Sequence, residues 1–329
     1  MSPEPIVAGV LATVLVVYEL TGGADFGGGV WELLASGPRR RAQRDAIASA
    51  IGPIWEANHV WLILALVITF ASFPRAFALI STALHVPLLL LLFGVVLRGT
   101  AFVFRAYDQR DDAVQARWSA IFAAASVFCP VALGVVVGAL ASGAVQLGSL
   151  DLVGTWLRPF PFAVGFLNLA IVSFLAAVYL TLDTRHDPPL QEDFRRRGLW
   201  AAGAVFVLAW IAFCLARDGA PEVWHGLWSS RWALPFQVAV AVCGVGCIAA
   251  LWTRSFLLAR DLAAVQVALV VGGWAASQYP FVVPPDLTVH EAAPHRVLWT
   301  LLAVLGAGAL PLLAAYGWMV WIFKRDDAR

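Results

Sequence analysis

Nine stretches of mostly apolar residues follow one another along the chain, each near the roughly 20 residues that a helix needs to cross a bilayer. They cover 6–34, 53–73, 76–104, 118–140, 160–182, 198–215, 234–251, 261–278 and 297–323. Short polar connections separate them, and arginine is concentrated in alternate ones. The first, third, fifth and seventh connections, with the C-terminal tail, hold 17 of the 22 lysines and arginines, counting Arg98 and Arg105 at the edge of the third helix, and the other side holds 5. Positive residues stay on the cytoplasmic side. The pattern therefore predicts an all-α, polytopic membrane protein of nine transmembrane helices, N-terminus outside and C-terminus cytoplasmic, with residues 1–329 forming one transmembrane domain.

Composition agrees, because 61% hydrophobic residues, 13% charged residues and a mean hydropathy of +0.80 exclude an ordinary soluble domain. A net charge of +1 without a basic patch gives no reason to expect nucleic acid as a partner. The four cysteines all fall in apolar runs and read as small core residues. Before the first apolar run no positive region marks a cleavable signal sequence.

The candidate chemistry centres on 51–63, IGPIWEANHVWLI, which puts a carboxylate, an amide and an imidazole inside a spanning segment. Gly52 and Pro53 should open that helix and Pro74 should stop it. Glu56 and His59 are three apart and share a face, with Asn58 beside them and Trp55 and Trp61 flanking. At about 1.5 Å per residue, Glu56 lies roughly 6 Å and His59 roughly 10 Å from the cytoplasmic end. On the same scale Asp25 lies about 14 Å from that end of the first helix, and Arg98 falls at a similar level on the third. Ionisable groups at this depth are costly, so the cluster is expected to form a charge-balanced, hydrated proton path.

Two other readings stay open. Arg98 could pair with Glu56 or Asp25 as a static salt bridge that fixes packing. His59 could ligate haem, but His85, the other histidine within a span, belongs to the outer half of the membrane. Glu19 reads equally as a hydrogen-bonded core acid or a relay. The glycines at 22, 23, 27, 28 and 29 suggest close approach of another helix, and Asn168 suggests a hydrogen bond between helices.

The segments GGADFGGGVW (22–31), IGPIWEANHVWLI (51–63), FPRAFA (73–78), LRGTAFVFR (97–105) and YPFVVPPDLTVHEAA (279–293) resemble, in the same order, the signatures of subunit II of the cytochrome bd quinol oxidases. The resemblance covers the whole chain. It implies a partner, a haem-bearing subunit I that carries haems b and d, and often a small single-helix accessory subunit, in contact with membrane lipid and quinone. It implies that this chain ligates no cofactor and that the complex oxidises quinol and reduces dioxygen to water in the bacterial plasma membrane. The family's proton-channel acids correspond to Asp25 and Glu56, a tryptophan near an oxygen path corresponds to Trp61, and the arginines closing the third helix correspond to Arg98 and Arg105. Many members have Asp at the position of Glu56 and Gln or Glu at that of His59, and an acid of the common DGFD form is replaced here by Gly22. The alternative class is a proton-coupled secondary transporter, against which stand the lack of an inverted repeat and of helices broken near the midplane.

Overall fold

The computed structural model describes residues 2–52, 55–107, 112–148 and 151–325, and the side chains of Glu56 and Arg105 lie outside the description. The proposed helix start at Pro53 also lies outside it. Helix α1 (Pro3–Tyr18) continues through a π-helical turn (Glu19–Gly23) into α2 (Ala24–Leu33), and α3 (Arg40–Ile51) follows. Next come α4 (Trp55–Ser72), α5 (Pro74–Ala83), α6 (His85–Tyr107), α7 (Asp112–Ala141), α8 (Pro159–Asp183) and α9 (Pro188–Gly219). The chain ends with α10 (Pro221–Trp228), α11 (Ala233–Trp252), α12 (Phe256–Gln278), strands β1 (Phe281–Val283) and β2 (Leu287–Thr288), α13 (Val289–Ala292) and α14 (His295–Arg325).

Among the described residues eight helices are long and apolar enough to cross a membrane, and the pair α4 and α5, bent by 117°, raises the number to nine if it is one span. Pro74 causes the bend, since it has no N–H to continue the helix and restricts Phe73 to non-helical angles. This corrects the third expected segment: 76–83 belongs to the bent helix α5, and the third span begins at His85. The arginines expected in a loop at 195–197 lie instead in the first turns of α9, which starts at Pro188 with Asp187 accepting from the Leu190 N–H at 3.1 Å. A further departure is the antiparallel hairpin of β1 and β2, a small exception in a helical protein.

Helix α8 is the hub, with 67% of its apolar window buried against 6% for α14. Its small residues admit close neighbours: a methyl group at Gly165 would lie 2.7 Å from the Val131 carbonyl of α7. Three apolar cores form among the described residues, the smallest around Phe160, Ala216, Ala220 and Val223; the two larger ones flank α2. One gathers Phe26, Trp61, Phe73 and Leu84, the other Trp31, Phe174, Leu175 and Leu251. Helix α2 contributes to both, and it carries the charged site between them.

The two ends of the bundle are distinct. At one end His290 Nδ1 lies 3.6 Å from Glu4 Oε2, and the Leu147 N–H donates to Asp286 at 2.7 Å, so the N-terminus, the 142–148 turn and the hairpin are together. At the other, Arg39 pairs with Asp193 and Arg195 donates to the Leu251 carbonyl.

Candidate functional site

The site is made by α2, α4, α6, α7 and α14 around Asp25, which is 3% exposed. The π turn just before it changes the helical register, and such a turn leaves backbone carbonyls available to other partners. Asn58, wholly buried on α4, uses that opening: its Nδ2 donates to Asp25 Oδ2 at 2.7 Å and to the Thr21 carbonyl at 3.4 Å. Its Oδ1 accepts from the Tyr316 hydroxyl of α14 at 3.2 Å. One amide thus joins three helices and holds one oxygen of the carboxylate.

Arg98, 1% exposed on α6, donates from Nη2 to the Asp25 backbone carbonyl at 2.9 Å and from Nε to Ser126 Oγ at 3.1 Å. Its guanidinium carbon sits 4.5 Å from the Phe26 ring centre and 4.9 Å from that of Phe122, an arrangement in which aromatic faces replace part of the lost water. Ser126 lies four residues before Pro130, the proline inside α7, so its own carbonyl loses the usual helical donor. From α8, Asn168 donates to the Pro130 carbonyl of α7 at 3.0 Å, the interhelical bond expected of it.

His59 sits at the edge of the cluster, 5.9 Å ring to ring from Phe26, with Nδ1 2.9 Å from the Trp55 carbonyl. A carbonyl only accepts, so Nδ1 carries the proton and Nε2 is the nitrogen able to take up another. Trp61 is 6% exposed and meets Tyr316 edge-on at 5.8 Å. Glu19 is buried in the π turn, and among the described residues its Oε1 has no hydrogen-bond partner. The backbone of Glu56 opens α4 one turn before His59, while its side chain lies outside the described residues. The structure therefore brings Asp25, Arg98 and His59 around Phe26. It adds Asn58 as the connector, with Ser126, Phe122 and Tyr316. No spacing rule could find Tyr316, which is 258 residues from its partner.

A helical protein with eight or nine apolar spans among its described residues, which keeps a carboxylate and a guanidinium buried between its first four spans and its last, belongs to the class of polytopic membrane proteins. Within that class the chain belongs to the family of cytochrome bd terminal oxidase subunit II, whose sequence model matches residues 4–323. It is thus a subunit of an oxidoreductase complex and a multi-pass protein of the bacterial inner membrane. It is 24% identical to "Cytochrome bd ubiquinol oxidase subunit 2" of Bacillus subtilis (strain 168), over 96% of this chain and 94% of that one. To the "Putative cytochrome bd menaquinol oxidase subunit II" of the same strain it is 22% identical, over 86% and 85%. In fold it resembles the bd oxidase of Geobacillus thermodenitrificans, with a TM-score of 0.83 at 22% identity, covering 98% of this chain and 99% of that chain. The family match leaves the transporter reading without support.

Proposed function

We propose that this chain is the haem-free second subunit of a quinol:dioxygen oxidoreductase and provides both a scaffold for the haem-bearing subunit I and a route for protons from the cytoplasm. The orientation, N-terminus outside, rests on the arginine asymmetry. Asp25 and Glu56 relay the protons, His59 is an adjacent acceptor through Nε2, and Arg98 balances the charge. Trp61 borders a path for oxygen. Haems b and d belong to the partner, which also takes the quinol, and a single-helix accessory subunit completes the assembly.

The observation that carries this reading is the held carboxylate of Asp25: buried, bonded through one oxygen to Asn58, with Arg98 on its backbone carbonyl. A carboxyl group in that position can gain and lose a proton without moving its neighbours, which is the requirement of a relay. The static-pairing reading makes a different prediction for turnover. In the purified complex, Glu56→Gln and Asp25→Asn should each lower quinol-driven oxygen consumption about tenfold or more, equivalent to about 1.4 kcal/mol on the limiting barrier. The haem absorption spectrum should be unchanged. Full turnover with haems in place would assign the cluster to packing alone.

A further inference from the structure

The arginine-rich end of the bundle holds a cavity remote from Asp25 and unused by the proposed proton route. It lies where the turn after α2 meets the first turns of α9, has a volume of about 330 Å³, and is lined by Ser36, Arg39, Gln43, Asp193, Arg197 and Trp200 among others. Its charges are not all matched. Asp193 already accepts from Arg39 at 2.6 and 2.8 Å and from Gln43 at 2.9 Å. Arg196, also at the cavity, is held by Glu192 at 3.2 Å.

Arg197 is different. Its Nη2 donates to Gln43 Oε1 at 2.6 Å and to the Leu34 carbonyl at 3.4 Å, both neutral acceptors. Its guanidinium stands 5.5 Å from the Trp31 ring and 5.4 Å from the Phe194 ring, which fix it in place. Among the described residues it forms no ion pair, and its Nη1 is enclosed without a hydrogen-bond partner. A guanidinium with a donor left unmet is destabilising, and the ligand that cures it is an oxyanion whose geometry suits a planar fork. Three residues further along α9, on the same face, Trp200 is 81% exposed at the rim. A tryptophan so placed is characteristic of headgroup depth.

We propose that this cavity binds a phosphate-bearing anion, with Arg197 as its principal donor and Arg39 beside it. The rim tryptophan favours the headgroup of an anionic phospholipid as the source, in the manner of basic pockets between membrane helices. Inorganic phosphate offers the same oxyanion without the lipid.

The test uses the whole detergent-purified complex after delipidation, with melting followed by haem absorbance. Phosphatidylglycerol should raise the wild-type midpoint by about 4 °C, as ligation of the folded state does. Phosphatidylcholine should leave it unmoved, and Arg197→Gln should abolish the rise. Native mass spectrometry should show one phosphatidylglycerol fewer retained by the variant. If inorganic phosphate alone reproduces the Arg197-dependent rise, the site stands and its source is free phosphate. Should Arg197→Gln fail to assemble, Arg39→Gln gives the reading, because it leaves the Asp193 carboxylate to repel the anion and should likewise remove the rise. A rise equal in wild type and variant, or none with either probe, overturns the proposal.

Discussion

Asn58 is the residue on which the charged site turns. Wholly buried, it gives Asp25 a donor at 2.7 Å and Tyr316 an acceptor at 3.2 Å. Asn58→Leu therefore removes three hydrogen bonds at once, to Asp25, the Thr21 carbonyl and Tyr316, at about 1 kcal/mol each, whereas Tyr316→Phe removes only the last of these. The expected order of melting temperatures of the complex is wild type, then Tyr316→Phe, then Asn58→Leu. Equal melting of wild type and Asn58→Leu would show that water replaces the amide and that Asn58 is dispensable. At this scale the sequence was partly legible. The depth argument placed Asp25, His59 and Arg98 at one level, because helical rise converts position into distance. A salt bridge from Arg98 to Glu56 or Asp25 was left open; the described contacts of Arg98 are with the Asp25 backbone carbonyl, Ser126 and two aromatic rings, while the Glu56 side chain lies outside the described residues. Nothing in a one-dimensional pattern distinguishes a carbonyl partner from a carboxylate.

The element scale explains why the site needs its glycines. On α2 three successive glycines meet three neighbours: a methyl at Gly27 would fall on the Val172 carbonyl of α8, one at Gly28 on the end of Ile51 of α3, and one at Gly29 on the Ser126 hydroxyl of α7. A backbone carbonyl on a packed helix cannot yield, while the tip of an isoleucine can rotate. Gly27→Ala should accordingly cost several degrees of melting temperature and much of the assembled complex, and Gly28→Ala far less. Gly29→Ala should reduce turnover as well, because it displaces the hydroxyl that receives Arg98. Comparable losses from Gly27→Ala and Gly28→Ala would count against the close crossing of α2 and α8. A second element has a pH signature. Thr288 and Glu291 cap α13 reciprocally, and the Thr288 N–H and hydroxyl hold the Glu291 carboxyl below the usual glutamate range. A depressed folded-state value makes the cap complete above about pH 4.3 and lost as the pH falls through that lower value. Pepsin cleavage within 281–293 should rise steeply on acidification, and Glu291→Gln should flatten that dependence by keeping a neutral cap. The existence of most spans was legible from hydropathy and Pro74 marked the end of α4, but the break between α5 and α6 at Leu84 was not, since apolar composition runs on through it. The helical start of α9 was missed for the opposite reason: its charged first turns look like a loop until ion pairs such as Arg195 to Glu192 at 2.7 Å are known.

For the whole molecule, sidedness follows from which connections share an end. The structure puts the N-terminus, the 142–148 turn and the hairpin at one end, and the Arg39, Asp193 and Leu251 contacts at the other, as an uninterrupted alternation of spans requires. That agreement is independent of charge, because it comes from packing. It makes α4 with α5 behave as a single crossing: were the bend to return the chain to the side it came from, the order of every later connection would be reversed. The outward apolar surfaces of α4, α6 and α14, which include Phe70, Phe93 and Leu310, then face lipid or the partner subunit. Which end is cytoplasmic rests on the basic residues alone, 17 against 5, and it sets the side from which the proposed route would take its protons. Single cysteines introduced into a chain with its four native cysteines replaced decide it. Both Asp45 of α3 and Gln146 of the opposite turn are exposed, so neither substitution disturbs the core. On intact cells a membrane-impermeant maleimide should label Gln146→Cys at once and Asp45→Cys only after lysis. The reverse pattern would put the arginine clusters outside and remove the cytoplasmic proton route, while labelling of both on intact cells would break the nine-span alternation itself.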